Sequence, residues 1–125
     1  MEFFRNTHNT LIESTQPTFK RELLKSISQS DRLICIKGFR GVGKTTFLLD
    51  YIKQEFPADN SVLYVNLNNF YFTNRTIISF ADEFAKRGGK ILLLDQIQKY
   101  PDWSAELRQC YDLLPGLKII FTSSP

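Results

Sequence analysis

The sequence predicts an α/β fold: a parallel β-sheet with helices on both faces, in three layers. Two observations carry this. Short apolar runs alternate with segments of helical periodicity along most of the chain. The apolar runs are hydrophobic at successive positions rather than at every second one, as in strands covered on both sides. Composition agrees, because 42% hydrophobic, 14% aromatic and 23% charged residues fit one globular domain with a core and exclude a disordered or low-complexity chain. At 125 residues the chain can bury roughly two thirds of its unfolded surface.

The elements follow in order. Residues 1–16 show the weakest pattern and are expected to form a loose arm, in which the lone His8 has no assigned role. Residues 17–28 read as a helix, with Phe19, Leu23, Leu24 and Ile27 at helical spacing. Residues 33–37 form a short apolar run that ends at a glycine, which suits a buried strand. Residues 45–56 read as a helix with a broad apolar face, stopped by Pro57. Residues 61–67 are rich in β-formers and give a second strand. A third helix over 76–87 closes at Gly88 and Gly89. Residues 90–95 form a third strand. A fourth helix over 101–114 takes Asp102 as its cap and sets Trp103, Leu107, Cys110 and Leu114 on one side. Residues 117–122 form the fourth strand.

Several function classes fall away on composition. The formal net charge of +3 neither demands nor excludes nucleic acid. The amide- and aromatic-rich stretch 66–72 contains no basic residue, so it reads as packing and loop rather than a base-stacking surface, and no nucleic-acid partner is expected. Cys35 and Cys110 lie far apart, with no CxxC or Cys/His cluster, and are expected to be reduced, buried thiols rather than zinc ligands. No apolar run approaches the roughly 18 residues of a bilayer span, and the polar N-terminus lacks a signal-peptide core, so the expected location is the cytoplasm, without a membrane partner.

One motif dominates. Gly38-Phe-Arg-Gly-Val-Gly-Lys-Thr45 matches G-x-x-x-x-G-K-[ST] in full, after a predicted strand and at the start of a predicted helix. A chance match in a chain this long is expected in roughly a few per thousand cases. The residue types answer a chemical need. Inward-facing backbone N–H groups around a phosphate require angles that favour glycine, which accounts for Gly38, Gly41 and Gly43. The helix that follows adds the positive end of its dipole. Lys44 supplies a mobile charge for the β- and γ-phosphates, and the Thr45 hydroxyl is suited to ligate Mg²⁺. Val42, Thr46 and Arg40 complete the candidate nucleotide-binding set. The basic excess from Thr18 to Thr46, seven Lys and Arg against Glu22 and Asp31, suits an anion near Lys44.

A carboxylate at the end of a buried strand completes such a site, and Ile91-Leu-Leu-Leu-Asp95 supplies one. Buried and unpaired, Asp95 would be costly, and a metal would compensate it. The next residue, where a base or water-orienting group is expected, is Gln96. Its amide can hold a water but cannot take its proton. General-base assistance is worth about 10²–10⁴ in rate, so Gln96 is expected to leave ATP binding intact and slow its hydrolysis.

These residues carry a resemblance. Gly38-x-Arg40-x-Val42-Gly-Lys-Thr-Thr46, Leu92-Leu-Leu-Asp-Gln-Ile-Gln-Lys99, Pro101-Asp-Trp103 and Leu117-Lys-Ile-Ile-Phe-Thr-Ser-Ser124 together resemble a prokaryotic AAA-domain ATPase family that reads G-P-R-x-V-G-K-T-T, L-D-E-I-Q-K-x-P-x-W and K-I-I-x-T-G-S-S. The likeness implies the P-loop NTPase fold with spatial strand order 2-3-4-1, ATP and Mg²⁺ as cofactors, Asp95 on the metal, and a polar sensor at Thr122 or Ser123. The sequence departs from the pattern at Phe39, at Gln96 in place of Glu, at Ser123 in place of Gly, and at Pro125, where the family continues with a fifth strand and a helical lid. The chain therefore reads as a partial core whose first strand keeps an open edge, to be covered by a protein partner or a missing C-terminal segment. The expected function is an ATP-binding AAA-type module with slow hydrolysis. The alternatives are a non-catalytic, nucleotide-responsive interaction scaffold and a small-molecule kinase.

Overall fold

Four apolar runs form strands β1 (Leu33–Lys37), β2 (Val62–Asn66), β3 (Ile91–Asp95) and β4 (Lys118–Ser123). The computed structural model describes residues 2–15, 31–37, 43–56, 59–70 and 74–124. The helix expected over 17–28 lies outside them, as do residues 38–42 and 71–73. The strands make one parallel sheet in the order β1-β4-β3-β2, which is the expected 2-3-4-1 arrangement.

The helices are α1 (Glu2–Ser14), α2 (Lys44–Glu55), the single turn α3 (Leu67–Phe70), α4 (Ile77–Lys86) and α5 (Trp103–Leu113). Strand alternation sorts the core between the two faces. Leu63, Val65, Leu92, Leu94, Ile119 and Phe121 pack with buried side chains of α4 and α5. Val62, Tyr64, Leu93 and Ile120 pack with Leu48, Leu49, Tyr51 and Ile52 of α2. Both faces being covered explains the continuous apolar runs of β2, β3 and β4. The outer strand β1 is only half-buried and pairs, among the described residues, with β4 alone.

Local chemistry fixes the boundaries of α4. The Thr76 side chain caps its start, accepting from the Ser79 N–H at 3.1 Å. Its end is a Schellman motif: Gly88 N–H donates to Ala85 O at 3.1 Å and Gly89 N–H to Phe84 O at 2.9 Å, with Gly88 at φ 93°. Asp102 precedes α5 in a left-handed conformation and makes no side-chain cap, contrary to the expectation. Trp103, expected in the core, is partly buried at its margin and packs against Phe121, with ring centroids 5.7 Å apart. Leu67 and Phe70 of the amide- and aromatic-rich stretch are buried. Cys110 is buried, Cys35 only half-buried, and both are free thiols.

The N-terminal segment departs from the expected loose arm. Residues 2–14 form α1, which packs beside the outer edge of β2. Phe4 is buried, with its ring 5.3 Å from that of Phe80, while Leu11 and Ile12 lean on the α2 side of the sheet. Polar side chains satisfy the strand's open edge. Arg5 Nη1 donates to Val62 O at 2.7 Å, and His8 Nδ1 accepts from the Tyr64 N–H at 3.0 Å. Burial, with the nearby Arg5 charge, pushes His8 down to about 4, so it stays neutral and keeps that acceptor. No helix among the described residues is long and apolar enough to cross a membrane.

Candidate functional site

The site lies at the carboxyl ends of the strands, where open parallel sheets bind ligands. Four elements build it. The turn after β1 enters α2 through Gly43, which takes φ 88° at the helix N-cap and leaves the first turn without a side-chain cap. Lys44 and Thr45 follow in that first turn. β3 ends at Asp95, β4 ends in Thr122 and Ser123, and Tyr64 lies near the end of β2.

Asp95 is the centre of the arrangement and is only 1% exposed. Three hydroxyls satisfy its carboxylate. Thr45 Oγ1 donates to Oδ2 at 2.5 Å, Tyr64 Oη to Oδ2 at 2.6 Å, and Thr122 Oγ1 to Oδ1 at 2.5 Å. The Thr122 oxygen in turn accepts from the Gln96 N–H at 2.9 Å. Burial and the Asp95 charge both push the Tyr64 phenol up, which keeps it a donor. Lys44 Nζ donates to Ser124 Oγ at 2.6 Å, and the Ser124 N–H donates to Gln98 Oε1 at 3.2 Å.

Gln96 adopts a left-handed backbone, φ 60° and ψ 52°, which is uncommon outside glycine. Its Oε1 accepts from Asn68 Nδ2 at 3.0 Å. Asn68 is itself tied back through its N–H to Asn66 Oδ1 at 2.9 Å. A side-chain amide thus occupies the position after the buried carboxylate, fixed from the β2 side.

The structure brings together Lys44, Thr45, Asp95, Gln96 and Thr122 of the residues singled out in the sequence. Thr46 is exposed on α2, and Ser123 pairs with Lys37 in the β1–β4 ladder, on the opposite face from Thr122 by strand alternation. Gly38, Arg40, Gly41 and Val42 lie outside the described residues. Sequence reasoning passed over Tyr64, Ser124, Gln98 and Asn68. For Tyr64 the signal lies in the strand register, which only the structure supplies. In the β2–β3 register Tyr64 faces Leu93 and Asn66 faces Asp95, so Tyr64 is a same-face diagonal neighbour of Asp95.

A family model described as AAA domain matches residues 30–125, about three quarters of the chain. The chain belongs to the AAA domain family. The AAA fold is also seen in solved structures. C. elegans PCH-2 superposes with a TM-score of 0.53 at 15% identity, covering 99% of this chain and 36% of PCH-2. AMPPCP-bound DnaA from Aquifex aeolicus superposes with a TM-score of 0.52 at 21% identity, covering 98% of this chain and 39% of DnaA. This AAA chain therefore spans less than two fifths of the length of either. A search of curated protein sequences finds no match.

Proposed function

We propose that this AAA domain binds ATP with Mg²⁺ and hydrolyses it slowly. The observation that carries the reading is the convergence of Lys44 and Thr45 of the phosphate loop with the buried Asp95. Membership of the AAA family and the fold shared with AMPPCP-bound DnaA support it.

The residues fit a divalent cation. A hydroxyl has one proton and two lone pairs. Thr45 gives its proton to Asp95, so both lone pairs remain for a cation beside the phosphates. Among the described residues no group of three or more His, Cys, Asp or Glu side chains could hold a metal by itself. The hydroxyl and carboxylate pair of Thr45 and Asp95 suits Mg²⁺, which usually combines few protein ligands with phosphate oxygens and waters. Bound there, the ion would neutralise charge on the transferred phosphate. Lys44 would exchange its Ser124 contact for phosphate oxygens, and Thr122 would hold Asp95 rather than touch nucleotide.

Gln96 limits turnover in this reading, because its amide can orient a water without accepting its proton. A second reading, a nucleotide-responsive scaffold without hydrolysis, draws support from the same residue: its Oε1 is already engaged by Asn68. In either reading the outer edge of β1, open among the described residues, is where a partner element would dock.

Calorimetric titration with ATP, with and without Mg²⁺, tests the proposal. The unmodified chain is expected to bind more tightly with Mg²⁺, and Lys44→Ala to lose binding. Full affinity in that variant overturns the assignment. Gln96→Glu separates the two readings: a gain in ATP turnover of about 10²-fold or more points to a site lacking only its base, whereas no gain favours the scaffold.

A further inference from the structure

Of the three donors on Asp95 among the described residues, two belong to elements the phosphate-loop chemistry already uses: Thr45 opens α2 and Thr122 ends β4. The third, Tyr64, stands on β2 and in no sequence motif. It is fixed at both ends. Its ring is buried to 2% exposure within the cluster of Leu48, Leu49, Tyr51, Ile52, Leu93 and Ile120. Its backbone N–H is held by His8 of α1. Its hydroxyl reaches the same oxygen, Oδ2, that accepts from Thr45.

The shared acceptor matters. The lone pairs of Thr45 are aimed by where its proton goes, and its proton goes to Asp95 Oδ2. Whatever fixes Oδ2 therefore fixes the Thr45 lone pairs. Thr122 holds the opposite oxygen, Oδ1, and alone would leave the carboxylate free to tilt about that contact. We propose that Tyr64 is a positioning residue for the cation site: its hydroxyl locks Asp95 Oδ2 so that Thr45 presents its lone pairs to the divalent cation of a bound nucleoside triphosphate. This rests on the reading of Asp95 as the metal-side carboxylate and assigns that reading a third support on β2.

The test uses Tyr64→Phe, which keeps the buried ring and removes only the hydroxyl, beside Asp95→Asn. For each chain ATP affinity is measured by calorimetry in excess Mg²⁺ and again in EDTA, and the ratio of the two is the quantity read. A loss of packing lowers both affinities together and leaves the ratio alone. The expected result is a ratio lowered about two- to thirteenfold in Tyr64→Phe, the range spanned by the net worth of one hydrogen bond, with a higher Mg²⁺ concentration at half-saturation. Asp95→Asn is expected to lower the ratio at least as far. An unmodified ratio in Tyr64→Phe, with Asp95→Asn lowered, overturns the role of Tyr64 and leaves the Asp95 reading standing. An unmodified ratio in Asp95→Asn overturns that reading and the role of Tyr64 with it.

Discussion

At the scale of single residues, position rather than type decides what a side chain does. Gly88 and Gly89 are adjacent glycines with opposite reasons for being glycine. A methyl at Gly88 would meet nothing within 4 Å, but its φ of +93° strains any L side chain. A methyl at Gly89 would sit 2.5 Å from three atoms of the buried Phe84 ring. Gly88→Ala is expected to cost about 1 kcal/mol, the usual left-handed penalty. Gly89→Ala forces a core ring to move and is expected to cost about 1–3 kcal/mol. Urea denaturation of the two variants checks the order, Gly89→Ala being the less stable. That Thr45 and Asp95 would come together was legible, because the motif sets residue types at fixed spacing and the apolar run ends at the carboxylate. Ser124 and Asn68 were not. Each acts through a partner distant in sequence, Lys44 by 80 positions and Gln96 by 28, and no local pattern encodes that pairing.

At the scale of elements, α1 shows how a helix can escape sequence reading. Phe4, His8, Leu11 and Ile12 do fall at helical spacing, but the pattern emerges only if histidine is counted among the inward-facing residues. The segment is rich in Asn and Thr, which are poor helix formers, so docking rather than propensity holds it. Strands β2, β3 and β4 were legible for the opposite reason: burial on both faces leaves a continuous apolar signature. The docking of α1 predicts a pH dependence. Unfolded, His8 takes up a proton below its ordinary value of 6.5, whereas folded it resists protonation down to about 4. The unfolded state therefore binds more protons across that window, and stability contributed by neutral His8 is complete above pH 6.5 and declines as pH falls toward 4. The loss is bounded at about 3 kcal/mol. Since the chain has one histidine, this window is read without interference from another. His8→Gln, whose side-chain oxygen can still accept from Tyr64 N–H without titrating, should flatten the urea midpoint between pH 6.5 and 5. A slope unchanged from the parent chain would show that His8 is not its source.

At the scale of the whole molecule, the sheet has two outer strands with different exposures. β1 offers its free side among the described residues, while β2 is covered by α1 through Arg5 and His8. Removing residues 1–15 would strip the partners from Val62 O and the Tyr64 N–H and take Phe4 out of its aromatic cluster. Loss of the Phe4 side chain alone is expected to cost about 3 kcal/mol or more. The bared strand edge should also template pairing between copies. Light scattering across a concentration series is the check: the shortened chain should self-associate where the full chain does not, and equal masses for the two would rule out an edge-covering role for α1. The order of the strands was legible from the likeness carried by the motifs, whereas the covering of β2 was not, since it depends on two side chains meeting a backbone more than fifty residues away.

That distance also sets a timetable for synthesis. Arg5 and its acceptor Val62 are 57 residues apart. At about 5–20 residues per second, α1 leaves the ribosome roughly 3–11 s before the strand it must cover exists. A helix of 13 residues is marginal on its own in water. For those seconds the segment lacks the strand edge whose Val62 O and Tyr64 N–H hold its helix. Its weak helical signature is thus compatible with its late duty: a segment made before its partner strand holds its shape only once that strand is in place.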